Sequence, residues 1–185
     1  RQWLAQHPDV DLRLHDPLND DLLAALQRGE VDLALGVALD LPPQIEAIAV
    51  AQDDLVAVLP VGHRLAHRAR LTWQDLAGER LALFARGSTY ELAMATLRQH
   101  GADLARADQL LYSESLYSLV RCGLAVGVIS RLYTHNLHEG AVKVCPLQAP
   151  VISRKVALMV HAARDARAPL VQNCLEFLTQ ALSKT

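Results

Sequence analysis

Arg86-Gly87-Ser88-Thr89 is the stretch of this chain best suited to hold an anion. It follows the short apolar run Arg80–Phe84 and precedes Tyr90, Met94 and Leu97 at helical spacing, so a strand hands over to a helix there. Free backbone N–H groups at a helix start, the positive helix end, two hydroxyls and a guanidinium suit a carboxylate or a phosphate. The same residues also suit a plainer role. Ser88 and Glu91 have capping-box spacing, and spacing alone does not choose between an anion site and a well-capped helix.

Other reactive-looking groups read as ordinary. His63 and His67 have the spacing of two metal ligands on a helix, but no glutamate stands with them and Pro60 and Gly62 make the segment a loop. His135 and His138 fare no better. Ser88 follows Gly87 but lacks the Gly-x-Ser-x-Gly frame of a hydrolase nucleophile. Gly123 and Gly127 match no phosphate-cradling glycine loop. The basic run His63–Arg70 reads as a solvated loop, because the chain carries a net charge of −2 and only 4% aromatic residues. Cys122, Cys145 and Cys174 are odd in number and far apart, which argues against a disulfide framework or zinc site and fits a reducing compartment. No catalytic residue, metal or cofactor is expected.

The elements that position these residues follow from periodicity. Val10, Leu12 and Leu14 alternate with polar residues, as in a strand with one wet face. Leu18, Leu22 and Leu26 mark a helix with Asp16 or Asn19 at its start and Gly29 after its end. Val31–Val37 is an apolar strand, so the three form a strand–helix–strand unit with parallel strands. Ile45–Ala51 and Leu55–Leu59 predict two strands separated at Asp53-Asp54. Thr72–Leu76 predicts a helical turn, Gln109–Tyr112 a strand, and Ser113 the cap of a helix carrying Leu116, Leu119 and Val120. Leu124–Ile129 is a buried strand, Val142–Cys145 and Lys155–Val160 are further strands, and Asp165–Leu182 is the last helix. Strands alternating with helices predict an α/β architecture.

The length of 185 residues allows one domain or two small lobes. With 51% hydrophobic and 21% charged residues the chain is not disordered, and no run reaches the ~18 apolar residues of a membrane span. No signal-peptide pattern is present. Arg1–His7 reads as the tail of a helix, as if the chain were a piece of a longer protein.

The order of three segments then matters: Val10–Val37, Asp53–Gly78 and Leu119–Tyr133. Within them stand Gly29-Glu30-Val31-Asp32-Leu33-Ala34-Leu35, Leu59-Pro60 with His63-x-Leu65-Ala66, and Gly123–Ile129. Together they resemble the effector-binding domain of a LysR-type transcriptional regulator along essentially the whole chain. The resemblance implies a type 2 periplasmic-binding-protein fold of two α/β lobes joined by two crossing strands. Lobe one would be residues 1–58 with 155–185, and lobe two residues 59–154. A small effector, a carboxylate or other anion, would sit between the lobes. Carried over position by position, its contacts would be Asn19, Gly36, Val37, Arg86, Ser88, Thr89, Ser113, Val128 and Ser130. The family's first strand and its cleft loop would precede Arg1, and Ala125 and Ser130 stand where the family usually has glycine and proline. The resemblance further implies a cytoplasmic homodimer or homotetramer, pairing through Asn19–Arg28 and Ser113–Cys122, that reaches DNA only through a winged helix-turn-helix outside this chain. A transporter's solute-binding protein of the same fold is the alternative.

Overall fold

Asp53 and Asp54 do not interrupt the backbone. Residues Ile45–Pro60 form one strand, β2, where two strands were expected. This is seen in the computed structural model, which describes residues 1–135, 137, 140–165 and 169–182. The two carboxylates are tolerated in mid-strand because each finds a donor: Ser130 Oγ–H for Asp53, and Ser153 Oγ–H at 2.6 Å for Asp54.

The chain divides into two compact units, Arg1–Gln52 with Arg154–Thr185, and Asp53–Ser153. The first changeover lies at 52/53, six residues before the 58/59 boundary that the resemblance implies. Residues 53–58 are fixed in the second unit by hydrogen bonds, among them Leu55 N–H to Ile152 O at 2.9 Å.

In unit one, β1 (Ala34–Val37) pairs antiparallel with β8 (Ser153–His161), and the strand order is β1-β8-β2. Ala157 and Met159 face Leu23 and Leu26 of α2 (Asn19–Arg28), whereas Leu158 and Val160 face Leu175 of α6 (Pro169–Leu182). That alternation of period two buries both faces of the strand. The short α1 (Gln2–Gln6) is anchored on α6 by Trp3 Nε1–H donating to Asn173 Oδ1 at 2.8 Å. Residues 166–168 of the expected last helix lie outside the described residues.

Two expectations fail in this unit. Val10–Leu14 is not a strand, and among the described residues no ladder includes it. The predicted parallel pairing with β1 is therefore absent. Alternation says which face a strand would wet, but a strand also needs a partner backbone. Without one, Leu12 and Leu14 stand 51% and 88% exposed. The start of α2 is also different: its N-cap is Leu18, with no side-chain cap bond, and Asn19 is its first residue.

Unit two carries β3 (Leu71–Thr72), β4 (Leu81–Phe84), β5 (Asp108–Leu110), β6 (Val126–Ser130) and β7 (Val142–Gln148). With the second part of β2 the order is β3-β7-β2-β6-β4-β5. The strands β4, β5 and β6 are mutually parallel, while β2 is antiparallel to β6 and β7. Parallel neighbours require crossover connections, and α3 (Ser88–Gln99) and α4 (Ser113–Arg121) supply them. Leu55, Ala57 and Leu59 pack on the α3 side with Leu83, Met94 and Leu97, and Val56 and Val58 on the α4 side with Leu116 and Val120. A 3₁₀ turn, Trp73–Leu76, is closed by the Thr72–Asp75 capping box.

Gly127 sets how closely α4 approaches β6. A Cβ there would lie 2.7 Å from Leu116 Cδ2 and 3.3 Å from Val120 Cγ2. Gly127→Val is expected to destabilise the chain by about 1–3 kcal/mol through overpacking, measured as a lower urea midpoint.

Candidate functional site

The parallel run β5-β4-β6 puts the carboxyl ends Leu110, Phe84 and Ser130 on one edge of unit two. Both crossover helices begin just beyond that edge, at Ser88 and Ser113. Ligands of open α/β sheets lodge beyond carboxyl strand ends, and helix starts there present free N–H groups and positive dipole ends.

The turn after β4 is built for this handover. Gly87 is the N-cap of α3, with φ 87°, a left-handed conformation that favours glycine. The expected Ser88–Glu91 capping box is thus displaced, and Ser88 is the first helical residue. Arg86 is exposed. Thr89 shares the sheet-facing side of α3 with Ala93 and Leu97. It is only 5% exposed, and among the described residues its hydroxyl has no hydrogen-bond partner. Ser113 is likewise not a cap. Tyr112 holds that position without a side-chain bond, and Ser113 is the half-buried first residue of α4.

The other anticipated residues have structural occupations. Val128 is 1% exposed and packs in the α3-side core. Ser130 is fully buried and its hydroxyl donates to Asp53. In unit one, Asn19 Nδ2 donates to Val37 O at 3.1 Å, and Val37 N–H donates to Asn19 Oδ1 at 2.8 Å. Its amide therefore ties the start of α2 to the end of β1. Gly36 is required beside it, since a Cβ there would lie 2.7 Å from Asn19 Oδ1. Asn19, Gly36 and Val37 come together in unit one, and Arg86, Ser88, Thr89, Ser113 and Ser130 stand at the carboxyl edge of unit two.

Sequence reading missed Asp53 and an aromatic group. Phe84 and Tyr133 meet edge to face at 5.7 Å, and Tyr117 Oη–H donates to Tyr133 O at 2.5 Å. Burial first, then Glu114 and Tyr133, push the Tyr117 phenol up to about 12. For Asp53 the available signal was a pair of acids between two apolar runs.

The basic loop is answered by the chain's own acids. Glu79 takes both His63 and Arg64, and Asp75 takes Arg68 at 2.7 Å. His138 lies outside the described residues. Burial pushes the Cys145 and Cys174 thiols up, while Cys122 is exposed. Among the described residues no His/Cys/Asp/Glu group could hold a metal, and no helix is long and apolar enough to cross a membrane.

This is the type 2 periplasmic-binding-protein-like fold. It matches the C-terminal domain of a probable LysR family regulator from Rhodococcus sp. RHA1 with a TM-score of 0.83 at 22% identity, over 96% of this chain and 88% of that one. It matches the BenM effector binding domain with its effector benzoate at 0.83 and 16% identity, over 99% and 83%. The chain belongs to the LysR substrate binding domain family, whose model matches residues 1–183. It is 26% identical over 181 residues to the HTH-type transcriptional regulator CatR of Pseudomonas putida, covering 96% of this chain and 61% of that protein. It is 30% identical over 134 residues to the transcriptional activator protein LysR of Escherichia coli K12, covering 70% and 42%. The chain thus spans less than two thirds of either regulator.

Two outcomes follow from this geometry. The raised Tyr117 pKa means the folded state holds that proton more tightly than the unfolded one. Its contribution to stability is complete below about pH 10 and is lost as pH rises toward about 12. An ultraviolet titration of the phenolates should lose its last step in Tyr117→Phe. Gly36→Ala should cost about 1–3 kcal/mol by displacing the Asn19 amide, measured by thermal unfolding.

Proposed function

We propose that this chain is the effector-sensing and oligomerising domain of a bacterial, cytoplasmic LysR-type transcription regulator, and that it takes a small carboxylate or similar anion at the carboxyl edge of unit two. The observation that carries this reading is the start of α3 at the carboxyl edge of the parallel strands, where the Thr89 hydroxyl has no hydrogen-bond partner among the described residues and Arg86 is exposed. Ser88 and Ser113 extend the same donor set. We read the two compact units as the two lobes that the resemblance implies. The relatives are regulators rather than transport receptors or enzymes, so the transporter alternative is not favoured and no catalytic role is assigned.

The mechanism is a shift of population. An anion that binds one conformation of the domain better than another favours it by that difference in affinity alone. A homodimer or homotetramer, pairing through α2 and α4, passes the change to a DNA-binding region outside this chain.

The test is a thermal-shift screen of the chain against small carboxylates, amino acids and phosphorylated metabolites. A ligand present at about 100 times its dissociation constant adds ~2.7 kcal/mol. A selective rise in melting temperature is expected, and Thr89→Ala should weaken that ligand at least several-fold while the unliganded melt stays close to that of the parent. Unchanged affinity in Thr89→Ala removes the residue from the site.

A further inference from the structure

A buried carboxylate organises the same edge from the other side. Asp53 is 2% exposed and Ser130 is fully buried. Ser130 Oγ–H donates to Asp53 Oδ2, and the Leu132 backbone N–H donates to Asp53 Oδ1 at 3.2 Å. Each carboxylate oxygen therefore receives a donor from the end of β6 or from the 3₁₀ turn, Arg131–Thr134, that follows it. A hydroxyl and a backbone N–H aimed at two oxygens of one carboxylate are what an incoming carboxylate ligand would need. Here the ligand is supplied in the same chain, by the first residue of unit two.

We propose that the end of β6 is a carboxylate receptor permanently filled by Asp53. Asp53 is then a positioning residue of the effector edge, and Ser130 does not touch the effector. The physical reason is twofold. A carboxylate leaves water only where donors replace its hydration. Donors held by an internal anion are in turn ordered before any effector arrives. The turn so fixed carries Tyr133, which receives the Tyr117 hydroxyl on its carbonyl and packs its ring on Phe84 at the end of β4. That this turn belongs to an effector edge rests on the proposed function above; the filled receptor does not.

The experiment uses the full chain without any effector and formate as the probe. Asp53→Gly removes the carboxylate and leaves room for a formate ion. Its melting temperature should be several degrees below the parent, and about 100 mM sodium formate should raise it by about 3 °C more than sodium chloride at the same concentration. The parent should show no such difference, and Asp53→Gly with Ser130→Ala should lose the formate effect. If formate and chloride act alike on Asp53→Gly, the receptor is refuted. Should Asp53→Gly fail to fold, Asp53→Asn decides. It keeps the size but replaces the charge-assisted bonds from Ser130 and Leu132 by weaker neutral ones, so it should melt several degrees lower, and a parent-like melt overturns the proposal. A fruitless effector screen leaves this test intact, and formate rescue beside such a screen counts against the effector site alone.

Discussion

The parallel pairing of β4 with both β5 and β6 is the constraint on which unit two depends. Parallel neighbours cannot be joined by tight hairpins, so the chain crosses back through helices each time. Those crossovers put the starts of α3 and α4 at the carboxyl edge and bury both faces of the sheet. Gly127 belongs to the same constraint, because α4 must lie close to β6 for Leu116 and Val120 to reach the core. The anion site proposed at this edge would follow from the topology, with the local residues setting its selectivity.

The edge is not uniform. On the α3 side, the helix starts after Gly87, and the Thr89 hydroxyl has no hydrogen-bond partner among the described residues. On the β6 side, the Ser130 hydroxyl and the Leu132 N–H are committed to Asp53. In unit one the Asn19 amide is committed too, to both backbone groups of Val37. Positions that a family resemblance groups as ligand contacts thus divide into those at the helix starts and donors used by the chain itself. Burial and hydrogen-bond accounting separate them.

Much of the fold was legible in the sequence. The fully apolar run before Ile129 announced a strand buried on both faces, and the helical turn expected at Thr72–Leu76 forms, closed by a capping box that the sequence reading did not name. The failures have identifiable causes. Val10–Leu14 has the right alternation but no partner strand among the described residues, and pairing is a property of two backbones. Asp53-Asp54 looked like a break because an acid in mid-strand is costly in isolation, and its donors at Ser130 and Ser153 are 77 and 99 residues away. Ser88 and Ser113 each proved to be the first helical residue rather than the cap, since Gly87 and Tyr112 took the preceding position. The candidate site was legible as a set of residue types after strands. Which of its hydroxyls are already occupied was not, because that depends on long-range contacts.

The central claim is that the starts of α3 and α4 take the anion. Amide hydrogen exchange of this chain, with and without a carboxylate that raises its melting temperature, tests it directly. Protection should rise at Gly87–Tyr90 and Ser113–Ser115, with no change at the Leu132 amide already bonded to Asp53. Protection gained elsewhere in the chain, with residues 87–90 unaffected, would contradict the account.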